Sequence, residues 1–163
     1  MPEPRLHETV IADRIIELIN LNLSVALGLK VVSFGDLDFY PALETLTDNT
    51  PTVFVKPAPT TTLERITTGQ TYKIAYNFRI VFVKTFSRSE DATRLMTIET
   101  DKLAELFIDN VNLGDFVITN GQVLRTNLTT IEWKPPEDLT VAGLNANMTA
   151  TALVFTVETT SRK

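Results

Sequence analysis

The stretch Gln70–Thr85, QTYKIAYNFRIVFVKT, places large apolar residues at the even positions Tyr72, Ile74, Tyr76, Phe78, Ile80 and Phe82. The odd positions open with Lys73, Ala75, Asn77 and Arg79. Successive strand side chains point to opposite faces, so this alternation, rich in aromatic and β-branched residues, predicts a strand with one face on a core. From Val81 the odd positions turn apolar too, which predicts cover on both faces at that end. At ~3.3 Å per residue the strand would reach about 50 Å, against about 17–20 Å for a common strand. A chain of 163 residues has little core to cover that length, so part of the strand is expected to project toward another subunit.

The segment that follows, Ser87–Asn110, reads SRSEDATRLMTIETDKLAELFIDN. Ser87 or Ser89 can accept a bond from a free backbone N–H at a helix start, and Glu90 and Asp91 complement the positive end of the dipole. Ala92, Leu95, Glu99, Lys102, Leu103, Leu106 and Phe107 follow helical spacing, with Met96 and Ile98 widening the stripe. Asn112-Leu113-Gly114 supplies stop chemistry. A long strand, a tight connection and a helix lying back on the sheet are expected.

Toward the N-terminus, Leu6–Leu23 carries a wide apolar stripe (Val10, Ile11, Ile15, Ile16, Leu18, Ile19) and predicts a first helix from about Thr9 to Asn22. Leu29–Phe34 and Pro51–Lys56 read as short strands, the second closed by Pro57-Ala58-Pro59, which cannot continue a ladder. Thr60–Gly69 is either a short strand or a connecting loop. Toward the C-terminus, Asn120-Gly121 is a tight-turn pair before a strand over Gln122–Lys134, whose apolar content is Leu124, Leu128, Ile131 and Trp133. Asn145–Thr159 is the last strand, and Ser161-Arg162-Lys163 a short tail. The fold class is therefore α+β: an antiparallel or mixed β-sheet with long strands, packed by two main α-helices. Residues 1–163 are expected to form a single domain, with a projecting hairpin loop at about 134–144.

Composition excludes several kinds of function. A hydrophobic fraction of 44% with 21% charged residues is ordinary globular usage, and a net charge of −5 argues against general nucleic-acid binding. Zero cysteines remove thiol chemistry and disulfides. No apolar run approaches a membrane span and no signal peptide is visible, so a soluble intracellular chain is expected. The single histidine, His7, reads as a surface residue at a frayed helix start, and triads or zinc sites have almost no material. No cofactor is expected. Asp36 and Asp38 share a turn and could hold a hard cation, although aspartate favours turns in any case.

Asp101, Glu105 and Asp109 recur at i, i+4 and i+8 on the second helix, as a solvated face or as an electrostatic contact with a partner. Arg79, Lys84, Arg88 and Arg94, with Lys73, supply basic groups on the same unit. Acidic and basic surfaces on one chain are what a head-to-tail assembly needs. Trp133, beside Pro135 and Pro136, is a candidate interface anchor or an ordinary core residue.

The order of parts resembles the tail terminator (tail completion) proteins of long-tailed bacteriophages. An amphipathic N-terminal helix is followed by PTVFVKPAP, a threonine-rich link, the alternating strand TYKIAYNFRIVFVKTFSR, the helix EDATRLMTIETDKLAELF and Thr-rich C-terminal strands. The resemblance spans residues 5–158 as architecture, with added length at Asp36–Thr50 and Pro135–Leu144. It implies a virion protein, assembled in the host cytoplasm, without enzymatic activity. Such a protein forms a homo-oligomeric ring, a hexamer, at the head-proximal end of the tail. The ring ends polymerisation of the tail tube protein and meets the head completion (connector) protein, while DNA passes its channel without specific binding. A head-side neck protein of the same virion is one alternative. A metal- or small-ligand-binding domain using Asp36, Asp38 and a helix-borne Glu is another.

Overall fold

The computed structural model describes residues 7–28, 30–32, 52–65, 71–85, 89–132 and 148–162. Helices α1 (Glu8–Asn22) and α2 (Ser24–Leu27) lead into β1 (Lys30–Val32), β2 (Thr52–Arg65) and β3 (Thr71–Thr85). Helix α3 (Ser89–Asp109) precedes β4 (Val117–Ile118), β5 (Gly121–Glu132) and β6 (Met148–Arg162). The strands form one sheet in the order β1-β2-β3-β6-β5-β4, with β1 parallel to β2 and every other pair antiparallel. The α+β architecture is as expected, with a mixed sheet.

β3 is the spine. Tyr72, Ile74, Tyr76, Phe78, Ile80 and Phe82 are all buried in the core, whereas Lys73, Ala75, Asn77 and Arg79 are half-buried on the other face. The strand does not project alone: it is paired to β6 from Thr71↔Arg162 to Thr85↔Met148, and to β2 over most of its length. At the Val81 end both faces are covered, since Phe54, Val81 and Ala152, adjacent across three strands, are buried opposite the helices.

Both long helices pack on the even-numbered face of β3 and touch each other. α1 buries Ile11, Ala12, Ile15, Leu18 and Ile19, while Val10 is exposed. α3 buries Thr100, Leu103, Ala104, Leu106 and Phe107; Lys102 and Ile98, which belong to the expected apolar stripe, are exposed instead. The seam turns to include Thr100 because its hydroxyl meets that of Thr151 on β6 at 2.9 Å, which satisfies two polar groups inside the core. At the centre Phe155 stacks on Phe78 of the neighbouring strand and Phe107 of α3, with ring centroids 5.8 and 5.1 Å apart.

Three boundaries and one register differ from expectation. β2 does not stop at Pro57-Ala58-Pro59 but runs on to Arg65. The ladder passes from Pro57↔Phe78 to Thr61↔Tyr76, so four steps on β2 face two on β3, and this irregularity accommodates prolines that cannot donate. β6 likewise continues through Ser161 and Arg162, where a tail is expected, because Tyr72 and Gly121 pair with Ser161 and bury it. The β4–β5 turn is Thr119-Asn120, with Asn120 at φ 59°, one residue earlier than Asn120-Gly121. Gly121 is instead needed inside β5, where a Cβ would come 2.0 Å from the Thr160 carbonyl oxygen. In β5 a register shift at Leu124 resets the alternation, so Val123 is buried and Leu124 exposed.

His7 is buried rather than a surface residue. Its backbone amide donates to the Tyr76 hydroxyl at 3.0 Å, which draws the start of α1 onto the middle of the sheet. Burial of the Tyr76 phenol raises its pKa, the His7 amide lowers it in part, and the nearby Glu8 carboxylate raises it further.

Candidate interaction surfaces

Two surfaces of opposite character flank the core. The outer side of α3 shows Arg94, Ile98, Asp101, Lys102, Glu105, Ile108 and Asp109, all exposed. Their spacing of three, four and seven residues puts them on one stripe away from the sheet. Asp101, Glu105 and Asp109 are therefore a solvent-facing acidic row, with Arg94 at its N-terminal end and two exposed isoleucines set into it. Its hydrophobic content is visible to a partner, since Ile98 is 45% and Ile108 58% exposed.

The sheet face turned away from the helices carries Lys73, Asn77 and Arg79 of β3, Arg125 and Asn127 of β5, and Thr156 and Glu158 of β6. Glu158 sits between two cations. The Arg125 guanidinium engages both carboxylate oxygens, and the Lys73 ammonium lies 3.4 Å from Oε1. These contacts, the Arg125 hydrogen bond foremost, hold the Glu158 carboxyl below its ordinary range, while Glu158 raises the Arg125 pKa. Next along the sheet the Thr156 hydroxyl donates to Asn77 Oδ1 at 2.7 Å. From Lys73 to Asn77 this face is polar and internally paired, with a row of side chains fixed across three strands, and toward Val81 it turns apolar.

Of the ten residues singled out from sequence, the structure brings together one group, Arg94, Asp101, Glu105 and Asp109 on α3. Arg79 lies on the opposite side of the molecule, on the helix-free sheet face. Lys84 occupies a position on β3 paired with Thr149, and its side chain is outside the described set. Arg88, Trp133, Pro135 and Pro136 lie outside the described residues, as do Asp36, Asp38 and the hairpin loop expected at 134–144. The Lys73–Glu158–Arg125 cluster is not evident from local pattern. Period two in TALVFTVET does place Glu158 on the face opposite Phe155 and Val157, but only the pairing register brings Lys73 and Arg125 to it.

A third feature ties the elements together. Arg14 of α1 donates from Nε to the Leu113 carbonyl oxygen at 3.0 Å, pairs with Glu17 at 2.7 Å and lies 5.6 Å from the centre of the Phe116 ring. Leu113, Gly114 and Asp115 all have positive φ, and Asn112 bonds to Asp115 through side chain and backbone. The turn that ends α3 is thus braced against α1. Among the described residues no group of three or more His, Asp or Glu is placed to hold a metal ion, and no helix is long and apolar enough to cross a membrane.

No family model matches the sequence, and no curated protein matches it. Among solved structures, the fold is similar to a chain of the "Virion of native gene transfer agent (GTA) particle", at 13% sequence identity and a TM-score of 0.58. The superposition covers 96% of this chain and 100% of that one, so the likeness is of the whole fold.

Proposed function

We propose that this chain is a structural protein of a phage-like virion, and that it forms a ring at the head-proximal end of the tail. In this reading the ring, six copies in number, ends polymerisation of the tail tube protein and presents a surface to the head connector. DNA passes its channel without sequence-specific contact. The observation that carries the reading is the whole-chain fold likeness to a component of a gene transfer agent virion. The order of elements in the sequence, which resembles tail terminators, agrees with it. In this reading the protein works without catalysis, which suits a chain with no cysteine and a single histidine. The exposed stripe of α3, with Asp101, Glu105, Asp109, Ile98 and Ile108, is the surface offered to the tube or connector protein.

The test is the mass of the purified protein by size-exclusion chromatography with light scattering, alone and with tail tube protein, over a range of salt. A mass near six chains, alone or induced by the tube protein, supports the ring. A monomer that persists with both tube and connector proteins overturns it. A ring that binds the connector but leaves tube growth unchecked identifies a head-side neck protein instead.

A further inference from the structure

Among the described residues the sheet ends in two edges whose uncovered segments match in length. β1 borders β2 only at Thr52–Phe54, and β4 borders β5 only at Gly121 and Gln122. The Thr126 amide is taken by the Val111 carbonyl, which closes the β5 edge up to that residue. Among the described residues no strand covers β2 beyond Phe54 or β5 beyond Thr126 on the outer side. Pro57 and Pro59 lack the N–H a further strand would need, so the part of β2 able to accept one is Thr60–Arg65. The part of β5 is Asn127–Glu132. Unpaired strand edges are templates for another strand.

We propose that Asn127–Glu132 of one copy pairs antiparallel with Thr60–Arg65 of the next, so that the ring is joined by continuation of the sheet. The inference rests on the ring reading. Direction supports a second copy as the occupant: β2 and β6 run one way and β3 and β5 the other, so β5 set beside the β2 of a neighbour extends the existing alternation. The contact joins two different edges, the heterologous type that closes rings.

Side-chain parity, together with full overlap of the two six-residue segments, then selects the register. Leu128 and Ile131 pair with Phe155 and Leu153 and belong to the core face, while Asn127 and Thr130 pair with Thr156 and Val154 on the other. On β2, positions 61 and 63 pair with Tyr76 and Ile74 of the core face, and positions 62 and 64 with Ala75 and Lys73. With Thr129 left over, as it is in its own pairing with β6, the faces agree when Leu128 meets Leu63, Thr130 meets Thr62 and Asn127 meets Glu64. Thr130 is level with Arg79 within its own sheet and Thr62 with Ala75, so neighbours are displaced along the strands by about 13 Å. That displacement carries β4 past the Arg65 end of the neighbouring β2, and repeated around a ring it tilts the strands from the axis.

The chain has no cysteine, so paired cysteines report the junction directly. Thr62 and Thr130 stand three strand spacings across one sheet and four residues along it, roughly 19 Å apart, too far for a disulfide within one chain. The full-length Thr62→Cys/Thr130→Cys protein, oxidised and run without reductant, is expected to shift from the monomer band to a ladder ending at the closed ring. Each single variant, with one thiol per chain, stops at a dimer and gives no ladder, and Glu64→Cys with Asn127→Cys reads the same register. A ring of unchanged mass that forms neither cross-link overturns the shared-sheet junction and leaves the ring standing. Absence of any oligomer, alone or with tube protein, overturns both.

Discussion

Replacing Tyr76 by Phe removes one oxygen from the core and nothing else. The Tyr76 hydroxyl is the acceptor for the His7 amide at 3.0 Å, and both residues are buried. α1 has no side-chain cap at His7, so this contact replaces one. A net hydrogen bond is worth about 0.5–1.5 kcal/mol, and an amide left buried without a partner costs about 1–3 kcal/mol. The expected loss is thus ~2 kcal/mol, which at about 2–4 °C per kcal/mol lowers Tm by roughly 4–8 °C. Urea unfolding measures the loss, and hydrogen exchange at the His7 amide locates it. Alkaline titration gives an independent check. The folded phenol pKa is raised, so above the unfolded value of about 10 the native state keeps a proton that the unfolded chain has released. Stability from this group is complete below that pH and is lost as pH climbs through the folded pKa; the Phe variant loses that component of the slope. Unchanged Tm together with unchanged exchange at His7 would refute the argument, because water would then be satisfying the amide.

Phe155→Ala, which removes the ring between Phe78 and Phe107, is expected to cost about 3–5 kcal/mol in urea unfolding. Gly121→Ala forces a Cβ onto the Thr160 carbonyl and should destabilise by about 1–3 kcal/mol, with exchange quickening at the β4 end of the sheet. Glu158 has a lowered folded pKa, so its contribution is present above the ordinary carboxylate value and lost as pH falls through the folded one. Glu158→Gln should therefore flatten acid unfolding below about pH 4, and the difference should shrink in high salt. Asp101→Lys with Glu105→Lys should leave the thermal midpoint within a few degrees and weaken capture of tube or connector protein; unaltered capture in pull-down would remove α3 from the joining surface.

What the sequence discloses is what is local. The alternation in TYKIAYNFRIVF names the buried residues of β3 one by one, and helical spacing bounds α1 and α3 closely. What it conceals is pairing. PTVFVKPAP looks like the end of a strand until β3 is set beside it, and only then does a register irregularity carry the ladder past the prolines. Ser161 and Arg162 look like a tail because their order comes from Tyr72 and Gly121. His7 looks exposed because its amide is held by a tyrosine far along the chain. The acidic row on α3 is legible from i, i+4, i+8 spacing, whereas Lys73, Glu158 and Arg125 meet only through two separate strand registers.

The central position of β6 has a consequence for how the molecule is made. β2 and β3 are neighbours in sequence and can pair early, but the other side of β3 waits for a strand that is last in the order of elements. Pairings of such long sequence separation close slowly, since the loop entropy must be met before the contacts form. On a ribosome, Tyr76, Phe78 and Ile80 therefore spend the synthesis of α3, β4 and β5 beside an unfilled place in the sheet. Until then an extended segment from another nascent chain can occupy that place. For a protein whose copies are to meet edge to edge, the interval before β6 arrives is when a wrong strand is most easily accepted.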